Sequence, residues 1–581
     1  MRDHSDSPAA WRGAVVGLLM AWVALGVGQL IAGIGRPQGS PVAAVGSAAI
    51  DRTPPAVKNF AISAFGSHDK TVLVIGILVV LAVFSAAIGI AATRRLRYGY
   101  IGLAIFAVIG VAAALTRPNA ALVDVLPTLI GALAGAYALS RLVRAAGGQA
   151  TRGLAPGGRA PVAAPRPERP RSAPQADVPK PDFTVPADPA LADQPEPEPA
   201  AQSQPAPERP VPRFRSGPPS DEPRRTPWQP GRRSFLTAGV VAVAAGGVGA
   251  LAGRGLSERS NVTAALSSIR FPKAAHPVPP LPPGTDLGIK GLSSFITPDN
   301  SFYRVDTALI LPQVAPQTWQ LRIHGMVERE ITLSYHELLK RPLIEDWITL
   351  CCVSNPVAGP YIGNAKWLGA SLASLLRAAR PRAGADQLLC TSTDGFTSGT
   401  PLATVLDGRD ALLAVAMNGA PLPVAHGFPV RMVVPGLYGY VSATKWVTDI
   451  KVTTFRGNYS YWAQRGWSQR GPIKTESRID VPGSSVSAGQ TQVAGVAWAQ
   501  HKGIDAVHVR VDRGPWHQAR LAAVPGIDTW RQWAWDWDAT RGNHLIEARA
   551  TDATGYTQTA LQEPPEPNGA SGYPSITVAV S

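Results

Sequence analysis

Four long apolar runs near the amino terminus constrain the fold of this chain more than any other feature. They cover residues 14–34, 71–92, 98–115 and 121–139. Each is close to the ~20 residues that an α-helix needs to cross the hydrocarbon core of a bilayer. Because the runs are apolar on all sides, they favour contact with lipid over a place in a soluble core. The sequence therefore predicts a four-helix transmembrane region over residues 1–144.

Basic residues cluster at particular ends of these runs and predict the orientation in the membrane. The loop at residues 94–97 holds three arginines, and Arg141 and Arg144 follow the fourth run. Cytoplasmic loops are enriched in Lys and Arg, so these ends should face the cytoplasm and residues 35–70 the other side. The net charge of +15 arises largely from such loops and from a Pro-rich stretch. That placement argues against a nucleic-acid partner.

Two segments then connect the apolar region to the rest of the chain. Residues 145–230 are rich in Pro, Ala, Arg and Glu and hold few large apolar side chains, which predicts a disordered linker. Arg232 and Arg233 precede a weakly apolar run, so residues 231–255 resemble a twin-arginine export signal that is kept as an anchor helix. A fifth ordinary span is the alternative. Both interpretations predict a multi-pass membrane protein whose later domains are extracytoplasmic.

The last half of the chain has the pattern of two globular domains after a spacer at residues 256–286. Residues 287–460 mix short β-type runs with helix-like segments such as 372–379, which favours an α+β domain. Residues 461–581 show short alternating strands separated by turn residues, and we predict an immunoglobulin-like β-sandwich there. The clearest of these strands cover residues 493–498, 507–511, 545–550 and 575–580.

The chain has three cysteines, which is too few for a secreted disulfide framework. Cys351 and Cys352 end a β-like run and enter a turn-rich stretch, where a thiolate that faces a pocket is well placed to bind a soft metal. The alternative is that both are small buried hydrophobic residues, the usual state of a free cysteine. Cys390 lies away from this motif and is predicted to be a core residue.

Two further groups of polar residues predict a binding site. His426, Arg431 and Lys445 stand among several glycines, which permit a close approach of the backbone to a ligand. Such a basic group suits an anionic ligand that carries phosphate, and the alternative is a solvated basic loop. Residues 299–306 bring polar and aromatic groups together near the start of the α+β domain.

The order of these motifs resembles the sulfite oxidase family. The matching pieces are Asn300-x-Phe302-Tyr303-Arg304, Thr-Leu-x-Cys352-x-x-Asn355, His426-Gly-x-Pro429-x-Arg431, Pro435-Gly436 and Lys445-Trp446. The resemblance covers roughly residues 285–580, and several motifs in one order are far more specific than any single motif. It implies a membrane-anchored bacterial oxidoreductase with one molybdenum–molybdopterin cofactor per chain. It also implies that the C-terminal domain pairs two chains in a homodimer.

The resemblance assigns roles to individual residues. Cys352 is the implied molybdenum ligand, since it stands three residues before Asn355, whereas Cys351 fills a variable position. Cys352 and Arg304 are the implied catalytic residues, and Arg304 faces the substrate anion. The implied cofactor contacts are Asn300, Tyr303, Arg304, Asn355, Ser392, His426, Arg431, Ala443, Thr444 and Lys445. Asp394 is an alternative to Ser392.

The chain departs from the family pattern in several places. Pro356 and Val357 stand where sulfite oxidases tend to carry arginines, and Phe396 and Thr397 occupy the region where a tyrosine near the metal is expected. Fewer cationic groups weaken the expectation that sulfite itself is the substrate. The sequence has no cytochrome-b5-like His-Pro-Gly-Gly motif, and none of the four predicted spans contains a histidine, so no haem is expected.

Together these implications predict a reaction in which an oxygen atom moves to or from a small substrate, sulfite-like or another oxyanion, while the molybdenum changes oxidation state. Electrons would be exchanged with a separate protein or a quinone, because the sequence shows no second redox centre. The alternatives are a sulfoxide reductase of the same fold and a non-catalytic cell-envelope scaffold, since a fold alone does not fix a function.

Overall fold

The structure is a computed structural model, and it describes residues 7–36, 39–54, 57, 69–117, 120–147, 231–259, 262, 266 and 268–581. Nearly all of the predicted linker at residues 145–230 lies outside the described residues, and so does part of the predicted spacer at residues 256–286. In the described part of the chain, a group of helices is followed by two domains that contain β-sheets.

The helices before the sheet domains include every predicted span. They are α1 (Ser7–Ile34), α2 (Pro41–Arg52), α3 (Asp69–Arg94), α4 (Leu96–Leu115), α5 (Leu126–Gly147) and α6 (Gly231–Arg259), with a 3-10 turn at Leu122–Val125. Five stretches are long and apolar enough to cross a membrane: Ala10–Ile34, Lys70–Arg94, Leu96–Leu115, Leu122–Ala146 and Phe235–Leu256. Helix α2 was not predicted; it begins with a proline in its first turn and is rich in alanine, both of which favour a helix.

Glycines set the packing of the long helices. Gly26 and Gly33 of α1 lie directly against Gly246 and Gly253 of α6, so closely that a Cβ atom at either position of α1 would meet the α6 backbone. Small residues at such positions let two helix backbones approach, which stabilises helix pairs in lipid. Helix α6 is therefore packed with the N-terminal helices, and we call α1 and α3–α6 the helix bundle.

Two sheets form the mixed domain, the name used here for residues 287–460. Its strands are β1 (Gln320–Gly325), β2 (Ile331–Ser334), β3 (Leu343–Cys351), β4 (Ile362–Ser371), β5 (Gln387–Ser392), β6 (Thr397–Pro401), β7 (Leu412–Met417), β8 (Ala420–Pro421), β9 (Arg431–Val433) and β10 (Val447–Thr453). One sheet has the order β2-β1-β10-β5-β6, with β1 and β10 parallel. The other has the antiparallel order β3-β4-β7-β8, and β9 also pairs with β7.

Short helices and a shared core complete the mixed domain. The helices are α7 (Tyr335–Leu339), α8 (Leu372–Ala379), α9 (Leu402–Leu406) and α10 (Gly439–Ser442), with a 3-10 turn at Val424–His426. Leu321 and Ile450 of the first sheet, Trp347 of the second and Val430 just before β9 belong to one buried cluster. The prediction of mixed strands and helices is confirmed, and α8 coincides with the helix predicted at residues 372–379.

Two facing sheets form the sandwich domain, the name used here for residues 461–581. Its strands are β11 (Glu476–Val481), β12 (Ser485–Val486), β13 (Gly489–Trp498), β14 (Ile504–Val511), β15 (His517–Gln518), β16 (Arg520–Leu521), β17 (Arg531–Ala539), β18 (Gly542–Asp552) and β19 (Ser575–Val580), preceded by a 3-10 turn at Ala463–Arg465. The sheet orders are β11-β13-β17-β16 and β12-β19-β18-β14-β15. Side chains such as Val493, Val507, Trp533 and Ile546 fill the space between them. The four strands predicted from alternation all lie in these sheets.

A long irregular segment before β1 contacts both sheet domains. Residues 277–319 contain neither helix nor strand in the described structure. The carbonyl of Phe295 in this segment accepts hydrogen bonds from Asn364 Nδ2 in the mixed domain (2.9 Å) and from Trp530 Nε1 in the sandwich domain (3.0 Å). The segment is thereby fixed against both domains, and this anchoring places residues 300–306 beside the end of β3.

Candidate active site around Cys352

Cys351 and Cys352 lie at the end of β3, where successive side chains point to opposite faces. Cys351 is packed in the core of the mixed domain, near the carboxyl group of Glu476. Cys352 lies on the side of Tyr303 and Lys445. Burial raises the pKa of both thiols. The alternation of the strand thus separates the two adjacent cysteines into one core residue and one that faces polar side chains.

A tight turn after β3 fixes the backbone of Cys352. Its N–H donates to the carbonyl of Tyr361 (2.9 Å), and its own carbonyl accepts from the N–H of Asn355 (3.1 Å). The buried side chain of Asn355 accepts from the Tyr361 N–H through Oδ1 (2.8 Å), but its Nδ2 has no partner among the described residues. An unpaired buried donor costs about 1–3 kcal/mol. This nitrogen can therefore donate to a group that the described chain does not supply.

His426 and Arg431 form a buried pair across the start of β9. The Arg431 guanidinium donates to the carbonyls of His426 (3.1 Å) and Ala443 (3.4 Å) and lies over the ring of Trp367, 5.0 Å from its centroid. Its Nε finds no partner in the described part of the chain. Burial lowers the pKa of Arg431 to about 10, so it stays charged at neutral pH. Burial and the nearby cations lower the pKa of His426 to about 4, so its ring is neutral.

Asp306 ends the polar segment 299–306 that the sequence singled out, but the motifs gave it no role of its own. Its carboxylate is 3% exposed and accepts from Lys445 Nζ (2.8 Å), Arg304 Nε (2.7 Å) and Lys70 Nζ (2.6 Å). Burial opposes ionisation, but the three cations outweigh it and hold the pKa of Asp306 well below its usual range. Burial lowers the pKa of Lys445 to about 8 although Asp306 opposes that change. The short spacing between Arg304 and Asp306 was the one signal that the sequence offered, because Lys70 stands 236 residues away from Asp306 in the chain.

The segment before the first strand brings one aromatic pair and one arginine to the site. The ring of Tyr303 stacks on Phe302 with centroids 5.4 Å apart, and Phe302 meets the His426 ring edge-on at 5.6 Å. Burial raises the pKa of Tyr303 well above its usual value. The side chain of Arg304 is 40% exposed. Asn300 is exposed and its Oδ1 accepts from the neighbouring Ser301 hydroxyl (3.2 Å), so it lies outside the buried group.

Residues 443–444 can contact a ligand at this site through backbone atoms more readily than through side chains. Ala443 has no polar side chain, and its carbonyl accepts from Arg431. The Thr444 hydroxyl is buried and shares a hydrogen bond of 2.6 Å with the hydroxyl of Ser398. Its backbone carbonyl accepts from the N–H of Met432. Any contact of these two residues with a ligand therefore involves backbone atoms.

The turn after β5 distinguishes Ser392 from Asp394. Ser392 is buried, its N–H donates to the carbonyl of Phe396 (2.9 Å), and its hydroxyl accepts from the N–H of Asp394 (3.5 Å). The Asp394 carboxylate accepts from the Phe396 N–H (3.2 Å), and burial raises its pKa. Asp394 also lines an adjacent pocket, whereas Ser392 does not. Ser392 thus builds the turn, and Asp394 is the side chain that the turn presents.

Comparisons with known proteins decide the family. The family described as "Oxidoreductase molybdopterin binding domain" matches residues 308–462. The "Uncharacterized oxidoreductase YuiH" of Bacillus subtilis is 31% identical over 153 residues, which make up 74% of that protein and 26% of this chain. The chain belongs to the molybdopterin-dependent oxidoreductases. This family is the one that the motifs resembled, so the prediction is confirmed.

Longer matches of the chain are with sulfite oxidases. Sulfite oxidase of Gallus gallus is 33% identical over 296 residues, and mitochondrial sulfite oxidase of Rattus norvegicus is 30% identical over 289 residues. Both matches cover 42% of this chain, which spans 63% and 52% of the two relatives. Among solved structures, the sulfane dehydrogenase SoxCD of Paracoccus pantotrophus aligns with 50% of this chain and 82% of its own at 23% identity, with a TM-score of 0.44.

Proposed function

We propose that Cys352 binds the molybdenum of a molybdopterin cofactor and that the buried cations beside it bind the pterin phosphate. The observation that carries this proposal is the pair of unpartnered buried donors, Asn355 Nδ2 and Arg431 Nε, in the group that surrounds the cysteine. Native interiors rarely leave such donors unpaired, so a ligand that accepts from them fits the site. A thiolate is in turn a suitable ligand for a soft transition metal.

The two buried cations and the neutral histidine have different proposed roles in binding the cofactor. Arg431 carries a planar guanidinium whose charge survives burial, and such a group is suited to bidentate contact with phosphate. Lys445 supplies a second positive charge. His426 is neutral and hydrogen-bonds to the Asp299 carbonyl through Nε2 (3.1 Å), which orients its ring. The other proposed cofactor contacts are Asn300, Tyr303, Arg304, Asn355, Ser392, Ala443 and Thr444.

When bound, the cofactor supplies the two-electron chemistry through which an oxygen atom passes to or from a small substrate. Arg304 is the proposed group for the negative charge of that substrate. Two of its nitrogens contact Asp306 at 2.7 and 3.3 Å, which fixes the guanidinium while part of it stays open to solvent. A fixed cation beside the reacting centre stabilises charge without reorganisation during the reaction. The proposed substrate is thus sulfite-like or another small oxyanion.

A sulfoxide reductase of the same fold is the second candidate, and one observation favours it. Pro356 and Val357 follow the Cys352 turn, so this stretch brings no cation toward the substrate. A neutral substrate such as a sulfoxide needs fewer positive charges than a doubly charged oxyanion. The non-catalytic scaffold is the weaker alternative, because a chain without a ligand gains nothing from burying Arg431 and Lys445 together.

The helix bundle is proposed to anchor the chain in a membrane with the two sheet domains outside the cytoplasm. Lys70 lies in the first turn of α3 and contacts Asp306, whereas Arg94 ends the same helix, about 36 Å away at 1.5 Å per residue. The arginine-rich end therefore points away from the sheet domains, and such ends favour the cytoplasm. A twin-arginine signal at residues 231–255 would fit export of a domain already folded around its cofactor.

Three further expectations complete the proposal. The sandwich domain is proposed to be immunoglobulin-like and to pair two chains in a homodimer. The helix bundle is proposed to hold no haem. Electrons are proposed to pass between the cofactor and a separate protein or a quinone, and no group of three or more His, Cys, Asp or Glu side chains in the described residues is arranged to hold a second metal.

The experiment that tests the proposal measures molybdenum and molybdopterin in the purified full chain. Wild type and Cys351→Ala should each contain about one molybdenum per folded chain by analogy with single-site family members, whereas Cys352→Ala should lose the metal or change its spectrum. Cys351→Ala is the matched control because it removes the neighbouring thiol from the core. Wild-type protein that is folded, exported and free of molybdenum would contradict the proposal.

Activity assays then separate the two candidate reactions. Oxidation of sulfite with ferricyanide as electron acceptor supports the oxyanion reaction, and reduction of methionine sulfoxide with a viologen donor supports the reductase. Arg304→Met should raise the KM for an anionic substrate much more than for a neutral one, since it removes a charge. Molybdenum-loaded protein that acts on neither substrate would contradict both candidates.

A further inference from the structure

A cavity of about 670 Å³ opens between α5 and α6 of the helix bundle. Its walls are the later turns of α5 and the first half of α6, and Val23 of α1 also belongs to its lining. The volume lies within the range of about 300–1,000 Å³ that small-molecule sites have. The bundle therefore contains a space large enough for part of a lipid or a molecule of similar size.

The cavity exists because both helices pack on α1 through glycines and face each other through alanines. Gly131 of α5 and Gly249 of α6 lie so close to α1 that a Cβ atom at either position would meet the α1 backbone. The faces that line the cavity carry alanines such as Ala138, Ala238 and Ala242. A methyl side chain is too short to fill the space between two helices whose positions are set by contacts with a third. The gap between α5 and α6 therefore stays open.

The cavity lies at the arginine-rich end of the helix bundle. Its lining includes Arg141 and Arg144, which stand in the last two turns of α5. Gly99 of α4 follows closely on the arginines at residues 94–97, and a Cβ atom there would meet the Leu139 side chain of α5. The loop at residues 94–97 and the end of α5 are therefore at the same end of the bundle. This is the end for which the distribution of basic residues favours the cytoplasm.

The two arginines of the lining are exposed and have no carboxylate partner in the part of the chain that the structure describes. Arg144 donates from Nε to the carbonyl of Ser140 (3.0 Å) and from Nη2 to its hydroxyl (3.2 Å). The Arg141 guanidinium lies over the ring of Tyr137, 6.0 Å from its centroid. Residues three apart share one face of a helix, so both cations stand on the same side of α5. No acidic residue among those described lines the cavity, so their charges are left for a ligand or for solvent ions.

We propose that the cavity binds one anionic phospholipid of the cytoplasmic leaflet, with its phosphate on Arg141 and Arg144 and part of an acyl chain in the gap between α5 and α6. The inference rests on the proposed membrane anchoring and is independent of the cofactor. Arginine binds phosphate through paired N–H donors, and basic pockets between transmembrane helices on the cytoplasmic side bind anionic headgroups. Arginines that only extend from a helix end toward water need no apolar cavity beside them. A headgroup with attached chains, by contrast, needs both the charges and the gap.

Native mass spectrometry of the full chain in a mild detergent measures the lipid that stays bound. Dioleoyl phosphatidylglycerol and dioleoyl phosphatidylcholine are titrated separately, because they share their acyl chains and differ in net charge. Wild type should bind phosphatidylglycerol with a Kd at least about ten-fold below that for phosphatidylcholine. Arg141→Gln/Arg144→Gln should remove this preference. The control Arg94→Gln/Arg97→Gln should keep it, since it removes two charges at the same end of the bundle but outside the cavity lining.

A second pair of variants tests the gap itself. Ala138→Phe puts a ring into the space between α5 and α6 and should weaken binding of phosphatidylglycerol several-fold. Leu133→Phe is its matched control, because it places the same ring at a position of α5 that is 71% exposed and outside the lining. The arginine variants change exposed side chains, so they decide the question if Ala138→Phe does not fold.

The outcomes separate this inference from the molybdenum proposal. Selective binding that Arg141→Gln/Arg144→Gln and folded Ala138→Phe weaken, and that both controls keep, supports the site. Equal affinity of wild type for the two lipids, equal loss in the two arginine double variants, a preference that Arg141→Gln/Arg144→Gln keeps, or unchanged binding by folded Ala138→Phe overturns it. A chain that stays soluble without detergent contradicts the anchoring and this inference together. Molybdenum is measured on the same samples: loaded protein without lipid preference contradicts only the lipid site, and selective protein without molybdenum contradicts only the molybdenum proposal.

Discussion

Replacing Asp306 with asparagine removes the charge on which three basic side chains converge. The side chains of Asp306 and Lys445 are 3% and 10% exposed, whereas those of Lys70 and Arg304 are 28% and 40% exposed. In the variant, Lys70 and Arg304 can turn toward water. The ammonium of Lys445 cannot, and it loses its charge partner in a nearly dry environment.

The expected loss of stability follows from this difference in exposure. Removing one partner of a buried ion pair destabilises a protein by about 3–5 kcal/mol, because the remaining charge is uncompensated. The two exposed partners add little, since exposed pairs are worth about 0–1 kcal/mol. Burial already lowers the pKa of Lys445 to about 8, and loss of the Asp306 charge lowers it further. Lys445 can then give up its proton near neutral pH, which limits the loss to about 3 kcal/mol at pH 7.

Chemical denaturation of the full chain in detergent measures this loss. Asp449→Asn is the control, because Asp449 is 33% exposed and pairs with His324 at 3.0 Å, so we expect a change below about 1 kcal/mol. The double variant Asp306→Asn/Lys445→Met removes both charges and should be more stable than Asp306→Asn alone. Equal losses for Asp306→Asn and Asp449→Asn, or no recovery in the double variant, would refute the reasoning.

Further predictions concern the cofactor site, the domain junction and the pH dependence. Arg431→Met should lose bound molybdopterin and Arg431→Lys should keep part of it, since only the lysine retains a charge; equal cofactor content in both variants would count against a role of this cation. Thr349→Val should destabilise the chain by about 1–3 kcal/mol in denaturation, because the buried hydroxyl accepts from the Trp530 N–H (2.7 Å) and donates to Asn364 (2.9 Å); unchanged stability contradicts this. Burial and two neighbouring carboxylates raise the pKa of Asp346 to about 7 from a usual 3.8. Between these pH values the folded protein keeps a proton that the unfolded chain releases, so the free energy of unfolding falls as pH rises from about 4 to 7. Asp346→Asn should flatten the fall in Tm between about pH 4 and pH 7, and parallel profiles would rule out this carboxyl as the cause.

The periodic parts of the fold could be predicted because they follow local rules. The apolar runs became helices, and α8 and the sandwich strands appear where the spacing of apolar residues placed them. Helix α2 escaped prediction because a short helix of 12 residues leaves a weak periodic signal among small side chains. The irregular segment at residues 277–319 has no period at all, although it carries Tyr303 and Arg304.

The candidate site could be predicted residue by residue but not as an arrangement. Motif order identified Cys352 and Arg431, yet it gave no role to Asp306, whose partners Lys70 and Lys445 lie 236 residues before it and 139 residues after it. A contact such as Lys70 to Asp306 spans 236 residues, and nothing in local spacing encodes it. The unpartnered Nδ2 of Asn355 likewise becomes visible only when every neighbour is in place.

The arrangement of charges, rather than their number, bears on the substrate. A count of basic residues gives the site three cations in Arg304, Arg431 and Lys445, but Asp306 pairs with two of them. Lys70 brings a further cation to Asp306, so these two charges offset each other, and Pro356 and Val357 add no charge. The partly exposed guanidinium of Arg304 is then the residue on which discrimination between an anionic and a neutral substrate depends. A single substitution there should consequently separate the two candidate reactions more sharply than changes among the fully buried cations, which the cofactor phosphate is proposed to neutralise.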